Sequence, residues 1–480
     1  MTEIATEAIV ATRAGRVRGR LSDGIAVFLG IPYAAAPFGE HRFRRPARVQ
    51  PWDGVRDALA YGPTAPKAPF PPPMDRLLAD PDIPGTECLN LNVWAPADGS
   101  GCPVMVWIHG GSLRNGSSCP PAYDGSAFAR DGVVLVSFNY RLGVEGFGVF
   151  PDAPTNLGLR DQLAALEWVR ENIAAFGGDP GNVTVFGESA GSISIGALLT
   201  SPYAEGLFRR AVLQSGAPTA QSREGAARST RAVARRLRVP ATAAAFAAVD
   251  PKRLLDAQAA VSRSGAPIGN GIGFTLAVDG DTVPADPLSA LHAGAAAGID
   301  VMLGYNAEEY RLWFVPTGMV EKINGLTLRL ALAKFRVPGR TAKVYREAWP
   351  QARPGELLGI IATDRLLRLP LNRLADARLP ARTWLYEFAW QSPVEQLGAC
   401  HALEIGFVFD TLASSDGKAL AGDAPPQALA DTMHRAWVAF AATGDPGWPA
   451  WDPTRPVMRF DAPTSAVVHA PRAAELAAWA

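Results

Sequence analysis

Val183-Thr184-Val185-Phe186-Gly187-Glu188-Ser189-Ala190-Gly191-Ser192 is an apolar run, then G-x-S-x-G, then small residues able to start a helix. The context says more than the pentapeptide, which arises by chance in long chains. A serine on a tight turn between strand and helix has a strained backbone and an exposed hydroxyl, while Gly187 and Gly191 relieve crowding from the adjoining elements. The stretch predicts a nucleophile at Ser189. The plain alternative is a glycine-rich loop that merely joins strand to helix.

Working outward, Leu159, Leu163, Leu166, Val169 and Ile173 recur three or four residues apart, which predicts a helix over 159–175. The turn residues of 177–182 end it and the strand 183–186 follows. Upstream, 91–94, 104–108 and 133–138 are short, dense apolar runs, as expected of central, mostly parallel strands buried on both faces. Strand, helix and strand in succession indicate a crossover unit and hence an α/β sheet. The opening part of the chain alternates apolar runs with turn residues and predicts an antiparallel section. Residues 65–85 (APKAPFPPPMDRLLADPDIPG) are rich in proline and lack periodicity. They predict a long loop, either a lid or a surface excursion without a role. Residues 223–260 predict helices, with Arg228, Arg231, Arg235 and Arg238 on a solvated face.

An alkoxide attacking a carbonyl creates a tetrahedral oxyanion, which needs preorganised N–H donors, each worth about 3 kcal/mol of barrier. The run 104–108 opens into His109-Gly110-Gly111-Ser112, where the backbone can approach a substrate closely. The N–H groups of Gly111, Ser112 and Ala190 are the expected donors. Serine also needs a base, and the chain has six histidines. His109 belongs to the oxyanion loop, His41 to an arginine-rich stretch, His434 to a helical pattern and His469 to the tail. In an α/β-hydrolase the order along the chain is nucleophile, acid, base, which places His292 too early and leaves His401. A third group must hold the imidazole in its tautomer and stabilise the cation that forms. Glu308 and Glu309 follow the predicted strand 301–304, and the residues themselves do not choose between them.

The 480 residues carry 46 basic and 46 acidic side chains, a balance that removes the electrostatic footprint of a general nucleic-acid binder. With 48% hydrophobic and 19% charged residues the chain is too apolar for disorder and has ample material for a core. No stretch approaches the roughly 18 to 20 apolar residues that span a bilayer, and the N-terminal region lacks an apolar signal segment. Neither membrane insertion nor signal-directed secretion is expected. Cys88, Cys102, Cys119 and Cys400 show neither C-x-x-C spacing nor scaffold density, as expected in a reducing compartment. The chain has no H-E-x-x-H pair and no P-loop, and Gly269-Asn270-Gly271-Ile272-Gly273 has the wrong spacing for a dinucleotide loop, so no metal or organic cofactor is expected.

Several further stretches carry a resemblance: Phe28-Leu29-Gly30-Ile31-Pro32-Tyr33-Ala34, Cys88-Leu89-Asn90-Leu91-Asn92-Val93-Trp94, Asn139-Tyr140-Arg141-Leu142-Gly143, Phe176-Gly177-Gly178-Asp179-Pro180, Leu213-Gln214-Ser215-Gly216 and Phe440-Ala441-Ala442-Thr443-Gly444-Asp445-Pro446. In this order they resemble the type-B carboxylesterase family, which includes the cholinesterases and the bacterial para-nitrobenzyl esterases. The resemblance covers essentially the whole chain. It implies a single α/β-hydrolase domain over 1–480, with a mostly parallel central sheet, flanking helices and a helical insertion over 217–298. It implies a serine carboxylesterase acting on esters of small to medium apolar acids and alcohols through an acyl-enzyme, with a small-molecule ester as its partner. The family's G-x-N-x-x-E run falls on Gly304, Asn306 and Glu309, which makes Glu309 the acid, and its G-A-x-H motif falls on His401. Glu188 resembles the family's carboxylate beside the nucleophile, and Ser215 its buried serine beneath the triad.

Three departures stand out. The oxyanion run of the family usually carries a third glycine or an alanine where this chain has Ser112, whose hydroxyl takes room near the carbonyl. Secreted members pair the cysteine of the C-L-x-L-N motif with an upstream cysteine, and none precedes Cys88, which fits a cytoplasmic, bacterial-type esterase. Glycine usually follows the catalytic glutamate, and here Tyr310 does. The same triad also serves amidases and carbamate hydrolases, and a non-catalytic binding module is the reading from a different class. Phe70, Trp313, Phe314, Phe407 and Phe409 lie close in sequence to these motifs and are expected to line an apolar gorge. One sequence sets no oligomeric state.

Overall fold

A computed structural model describes residues 6–263 and 273–480; residues 269–272 of the glycine-rich stretch lie outside them. The early strands are β1 (Thr6–Ala11), β2 (Arg16–Ser22), β3 (Ile25–Pro32), β4 (Val55–Asp57) and β5 (Asn90–Pro96). Then come β6 (Cys102–Ile108), β7 (Val134–Phe138), β8 (Gly178–Glu188) and β9 (Arg210–Gln214). A two-residue pair, β10 (Gln221–Ser222) and β11 (Ala277–Val278), stands apart. The chain returns with β12 (Asp300–Asn306), β13 (Thr383–Phe388), β14 (Pro456–Phe460) and β15 (Ala466–His469).

One sheet takes all but β10 and β11, in the order β1-β2-β3-β5-β7-β6-β8-β9-β12-β13-β14-β15, with β4 beside β2. Every neighbouring pair from β7 to β14 is parallel. The opening strands β1 to β3 pair antiparallel, as their alternating pattern predicts. β5 differs from expectation, since it runs antiparallel to both β3 and β7. Its apolar run reports cover on both faces, and cover does not encode strand direction.

Side chains on a strand alternate between faces, and here both faces are dry. From β6, Val104, Val106 and Ile108 join the core on one side, where the helix Leu157–Asn172 contributes Leu159, Leu163, Leu166 and Val169. Met105 and Trp107 point the other way and meet Met433, Trp437 and Phe440 of the helix Gln427–Thr443. The helix expected at 159–175 ends in a tighter turn over Ile173–Phe176, closed by Gly177 at φ 82. Between β9 and β12 lie the helices Arg223–Leu237, Ala243–Ala247, Pro251–Arg263 and Pro287–His292. Val233 and Leu237 pack inward with Phe150 and Phe246, while Arg228, Arg231, Arg235 and Arg238 are exposed, so the basic stripe is a solvated face.

Candidate active site

β6, β8, β12 and β13 all end on one edge of the sheet, the usual place for a site in an open α/β sheet. β8 stops at Glu188, and the helix Ala190–Leu198 starts two residues on. Ser189 between them sits at φ 55 and ψ −116, a conformation strained for any residue with a side chain. Its N–H is held at 2.9 Å by the carbonyl of Gln214 at the end of β9. A Cβ on Gly187 would come within 2.6 Å of the Ile108 carbonyl oxygen, and one on Gly191 would overlap the same oxygen. The two glycines therefore let the strand ends and the helix converge on one serine.

The loop after β6 lies against this turn. A Cβ on Gly110 would stand 3.2 Å from the Cβ of Ser189. His109 is buried, its ring stacked on Tyr140 at 4.3 Å, and its carbonyl accepts the Tyr140 hydroxyl at 2.8 Å. Burial pushes its imidazole down to about 3, so the ring is neutral and donates from Nδ1 to the Gly110 carbonyl at 2.8 Å. His109 braces the loop and is no base. Gly111, Ser112 and Leu113 follow with φ of 112, 57 and 58, so Ser112 occupies the left-handed region that favours glycine. Among the described residues, the N–H groups of Gly111, Ser112 and Ala190 donate to no protein acceptor, and neither does that of Gly110. A row of free N–H groups beside a serine can hold a developing oxyanion.

His401 lies in the loop beyond β13 and is 7% exposed. Its Nδ1 is 2.5 Å from Glu309 Oε2, and Glu309 Oε1 accepts the Asn306 N–H at 2.7 Å. Glu308 turns away, accepting from Arg311 Nε at 2.7 Å and from the Ala399 N–H at 3.2 Å. Geometry thus separates the two adjacent acids. On the other edge of the ring, Nε2 lies 2.8 Å from Glu188 Oε1. Burial alone would lower the His401 pKa, but Glu188 and Glu309 outweigh it and hold it well above the ordinary histidine value. Ser189 Oγ makes no hydrogen bond among the described residues; such contacts often tighten only when substrate arrives.

A base must be neutral to accept a proton, so with His401 as the expected base a rising limb of kcat/KM against pH is expected to follow loss of its proton. Glu188→Gln removes one of the two charges that retain that proton. The limb is expected to move to lower pH, read from a kcat/KM profile on a neutral ester. An unmoved limb would show that Glu188 does not set this titration.

Behind the histidine sits a group that spacing did not single out. Glu404 is fully buried; its Oε2 accepts from Asn306 Nδ2 at 2.6 Å and its Oε1 from Gln214 Nε2 at 3.2 Å. Burial, with Glu188 and Glu309 close by, pushes its carboxyl up to about 8. That shift favours the protonated form, which spares the centre a third negative charge. The available signal was a carboxylate in an otherwise apolar loop, three residues after His401. Ser215 is buried at φ 52, and its Oγ has no partner among the described residues. It contributes through its backbone, whose N–H donates to the Gly304 carbonyl at 2.9 Å.

The model of the carboxylesterase family matches residues 6–479. This chain belongs to the carboxylesterase family. It is 38% identical to the para-nitrobenzyl esterase of Bacillus subtilis (strain 168), with 95% of each chain covered. It is 36% identical to the phenmedipham hydrolase of Pseudarthrobacter oxydans, covering 96% of this chain and 95% of that relative. A crystal structure of a Geobacillus stearothermophilus carboxylesterase superposes with a TM-score of 0.87 at 38% identity, covering 98% of this chain and 100% of that one. The carboxylesterase is thus a carboxylic ester hydrolase of the serine type, with an α/β-hydrolase fold. No helix among the described residues is long and apolar enough to cross a membrane.

Ser189 and His401 of this carboxylesterase open onto a cavity of about 110 Å³, walled by Phe70, Leu77, Leu78, Trp313, Leu403 and Leu412. The Trp313 ring stands 4.7 Å from that of His401. Three of the expected gorge aromatics lie elsewhere. Phe314 is fully buried against Tyr310, because adjacent residues of the short helix Arg311–Phe314 point in different directions and Trp313 takes the cavity side. Phe407 packs on Phe388 and Trp390 at 5.0 and 5.3 Å, and Phe409 on Trp107 at 5.0 Å, all within the core behind the site. Tyr310 departs from the family pattern by filling a helical cluster, where Gly359 leaves room for its ring.

The proline-rich loop is a fixed wall of the carboxylesterase cavity. Lys67 Nζ meets Asp80 Oδ1 at 3.2 Å and donates to the Pro81 carbonyl at 2.6 Å, with both charged side chains almost fully buried. Asp80 also accepts the Gly116 N–H and Asn115 Nδ2, each at 3.1 Å. The loop is thereby tied to the turn that carries the free N–H groups. Asp80→Ala leaves Lys67 buried without a counter-charge, with the Pro81 carbonyl as its remaining partner, which costs about 3 kcal/mol. A lowered urea midpoint is expected, together with a fall in kcat; an unchanged midpoint would show that the pair carries no load.

Proposed function

We propose that the protein hydrolyses carboxylic esters by two-step acyl transfer, with Ser189 as nucleophile, His401 as general base and Glu309 as the group that orients it. The observation that carries this reading is the 2.5 Å contact of His401 Nδ1 with Glu309 Oε2, which makes Nε2, 2.8 Å from Glu188 Oε1, the ring nitrogen that takes up the serine proton once the ring is neutral. Ser189 Oγ attacks the ester carbonyl as its proton passes to Nε2. The N–H groups of Gly111, Ser112 and Ala190 receive the oxyanion. The imidazolium, flanked by Glu188 and Glu309, returns the proton to the departing alcohol. Water then repeats the sequence on the acyl-enzyme and frees the acid.

The cavity size and its leucine-rich walls support esters of small to medium apolar acids and alcohols. The chain reads best as a single domain over 1–480, with the helices of 217–298 as an insertion, and four free cysteines fit a reducing cytoplasm. The likeness to phenmedipham hydrolase supports a second reading, carbamate hydrolysis by the same groups. Matched p-nitrophenyl butyrate, butyryl p-nitroanilide and a phenyl carbamate test both. Fast p-nitrophenol release with little anilide cleavage is expected. A kcat/KM for the carbamate above that for the ester would favour the second reading, and inertness of the folded protein towards all three would sink the first.

A further inference from the structure

β12 ends at Asn306, which serves the site twice: its N–H donates to Glu309 Oε1 at 2.7 Å, and its Nδ2 to Glu404 Oε2 at 2.6 Å. The residues on either side of it are held from the opposite face of the sheet. Between the helices Pro354–Thr363 and Leu369–Ala377 the chain makes one wide turn, Asp364–Arg368. Pro370 has no N–H for the carbonyl four residues back, and ahead of it the N–H of Leu369 reaches the Asp364 carbonyl, five residues back. Arg368, at the end of that turn, is fully buried, which is rare for an arginine. Its guanidinium lies over the Tyr305 ring at 4.7 Å, and its Nη2 donates to the Ala307 carbonyl at 3.3 Å and to Glu387 Oε1 at 2.8 Å. Glu387 of β13 is the register partner of Tyr305. The Ala307 carbonyl accepts no backbone N–H among the described residues, so Arg368 is its one donor there. On its far side Arg368 pairs with Asp364, which also accepts from the Tyr345 hydroxyl at 2.6 Å and meets Arg472 Nη2 at 3.1 Å.

Arg368 thus grips the residues on both sides of Asn306. A guanidinium can do this because it presents a flat face to a ring and a fork of donors in fixed directions, whereas an ammonium at the same place is one point charge. The grip bears on the chemistry because Glu309 orients His401 only as well as its own carboxylate is held, and displacing a catalytic group by about 1 Å can cost on the order of 100-fold in rate. We propose that Arg368 is a positioning residue for ester hydrolysis, which fixes Asn306 through Tyr305 and Ala307 and thereby keeps Glu309 aimed at His401 Nδ1. The inference rests on the esterase reading and adds to it a residue outside the cavity lining.

Arg368→Lys keeps the charge and loses the fork and the flat face. Arg472→Gln disturbs the same cluster at Asp364, away from β12, and serves as the comparison. Both variants are expected to unfold at lower urea than the wild type. Only Arg368→Lys is expected to lower kcat on p-nitrophenyl butyrate, about tenfold with KM within about twofold, whereas Arg472→Gln keeps kcat within about twofold. The proton of a short charge-assisted hydrogen bond resonates far downfield, so His401 Nδ1–H gives a magnetic-resonance signal that needs no turnover. That signal is expected to move upfield in Arg368→Lys and to stay in place in Arg472→Gln. Tyr305→Leu leaves every charge in place and removes the ring under the guanidinium. It is expected to lower kcat about threefold and to move the signal the same way, and it decides the matter if Arg368→Lys does not fold. An undiminished kcat in a folded Arg368→Lys, an equal fall in Arg472→Gln, or an unmoved signal would overturn the proposal while leaving ester hydrolysis intact. A wild type inert towards the ester, whose signal still responds to the substitutions as expected, would overturn the esterase reading alone.

Discussion

Ser189→Ala is expected to lower kcat on p-nitrophenyl butyrate by on the order of 10⁵-fold, with the fold unchanged. Alanine meets the same penalty as serine at φ 55, so the turn, the Gln214 contact and the convergence of β6 and β8 on Gly187 and Gly191 are retained. What disappears is the oxygen proposed to form the acyl bond. The row of N–H groups after β6 remains and is expected to account for the residual rate, because polarising a carbonyl helps even a bound water. Side-by-side turnover, with the thermal midpoint of each protein, checks this. A variant that is equally folded and keeps more than about a hundredth of the activity would remove Ser189 from the chemistry.

Glu309→Gln is expected to cost about 10⁴-fold in kcat. Its loss has two parts that pull on pH in opposite ways. Without the negative charge the imidazolium is less stable, so His401 titrates at a lower pH and more of it is available as base. Yet an amide can present its NH₂ to Nδ1, favouring the tautomer in which Nε2 already carries a proton and cannot accept one from Ser189. Glu188, 2.8 Å from the other edge of the ring, stays to hold the cation but cannot set Nδ1. A steep fall in kcat together with a rising limb moved to lower pH is therefore expected. A variant that loses little would mean that Glu188 alone suffices to orient the histidine.

What could be read from the residues was local or ordered. The elbow at Ser189 and the glycine loop at 110–112 are strand-to-turn patterns complete within about ten residues, and His401 followed from the order of groups along the chain. The choice between Glu308 and Glu309 was not local. It depends on Arg311 drawing one acid outward and on the Asn306 N–H holding the other inward, and the family resemblance had to stand in for that geometry. The gorge aromatics failed in part for a related reason. Proximity in sequence to a motif does not say which way a ring points, so Trp313 reached the cavity and Phe314 did not. Glu404 was illegible because a carboxylate carries no mark of burial in its spacing. The direction of β5 was hidden because a strand covered on both faces reads the same in either direction.

Lys67, Asp80 and Asn115 join the wall of the cavity to the turn that would receive the oxyanion. For protein engineering this makes the two regions a single module. Replacing 65–85 with a loop from a relative alters more than the shape of the entrance, since a graft without an acceptor for the Gly116 N–H also detunes the turn beside it. Libraries that vary Phe70, Leu77 and Leu78 while keeping Lys67, Asp80 and Asn115 constant should retain many more active clones than libraries that randomise all of these positions. Substrate scope and catalytic competence are wired through the same short strap, so evolution of one is constrained by the other.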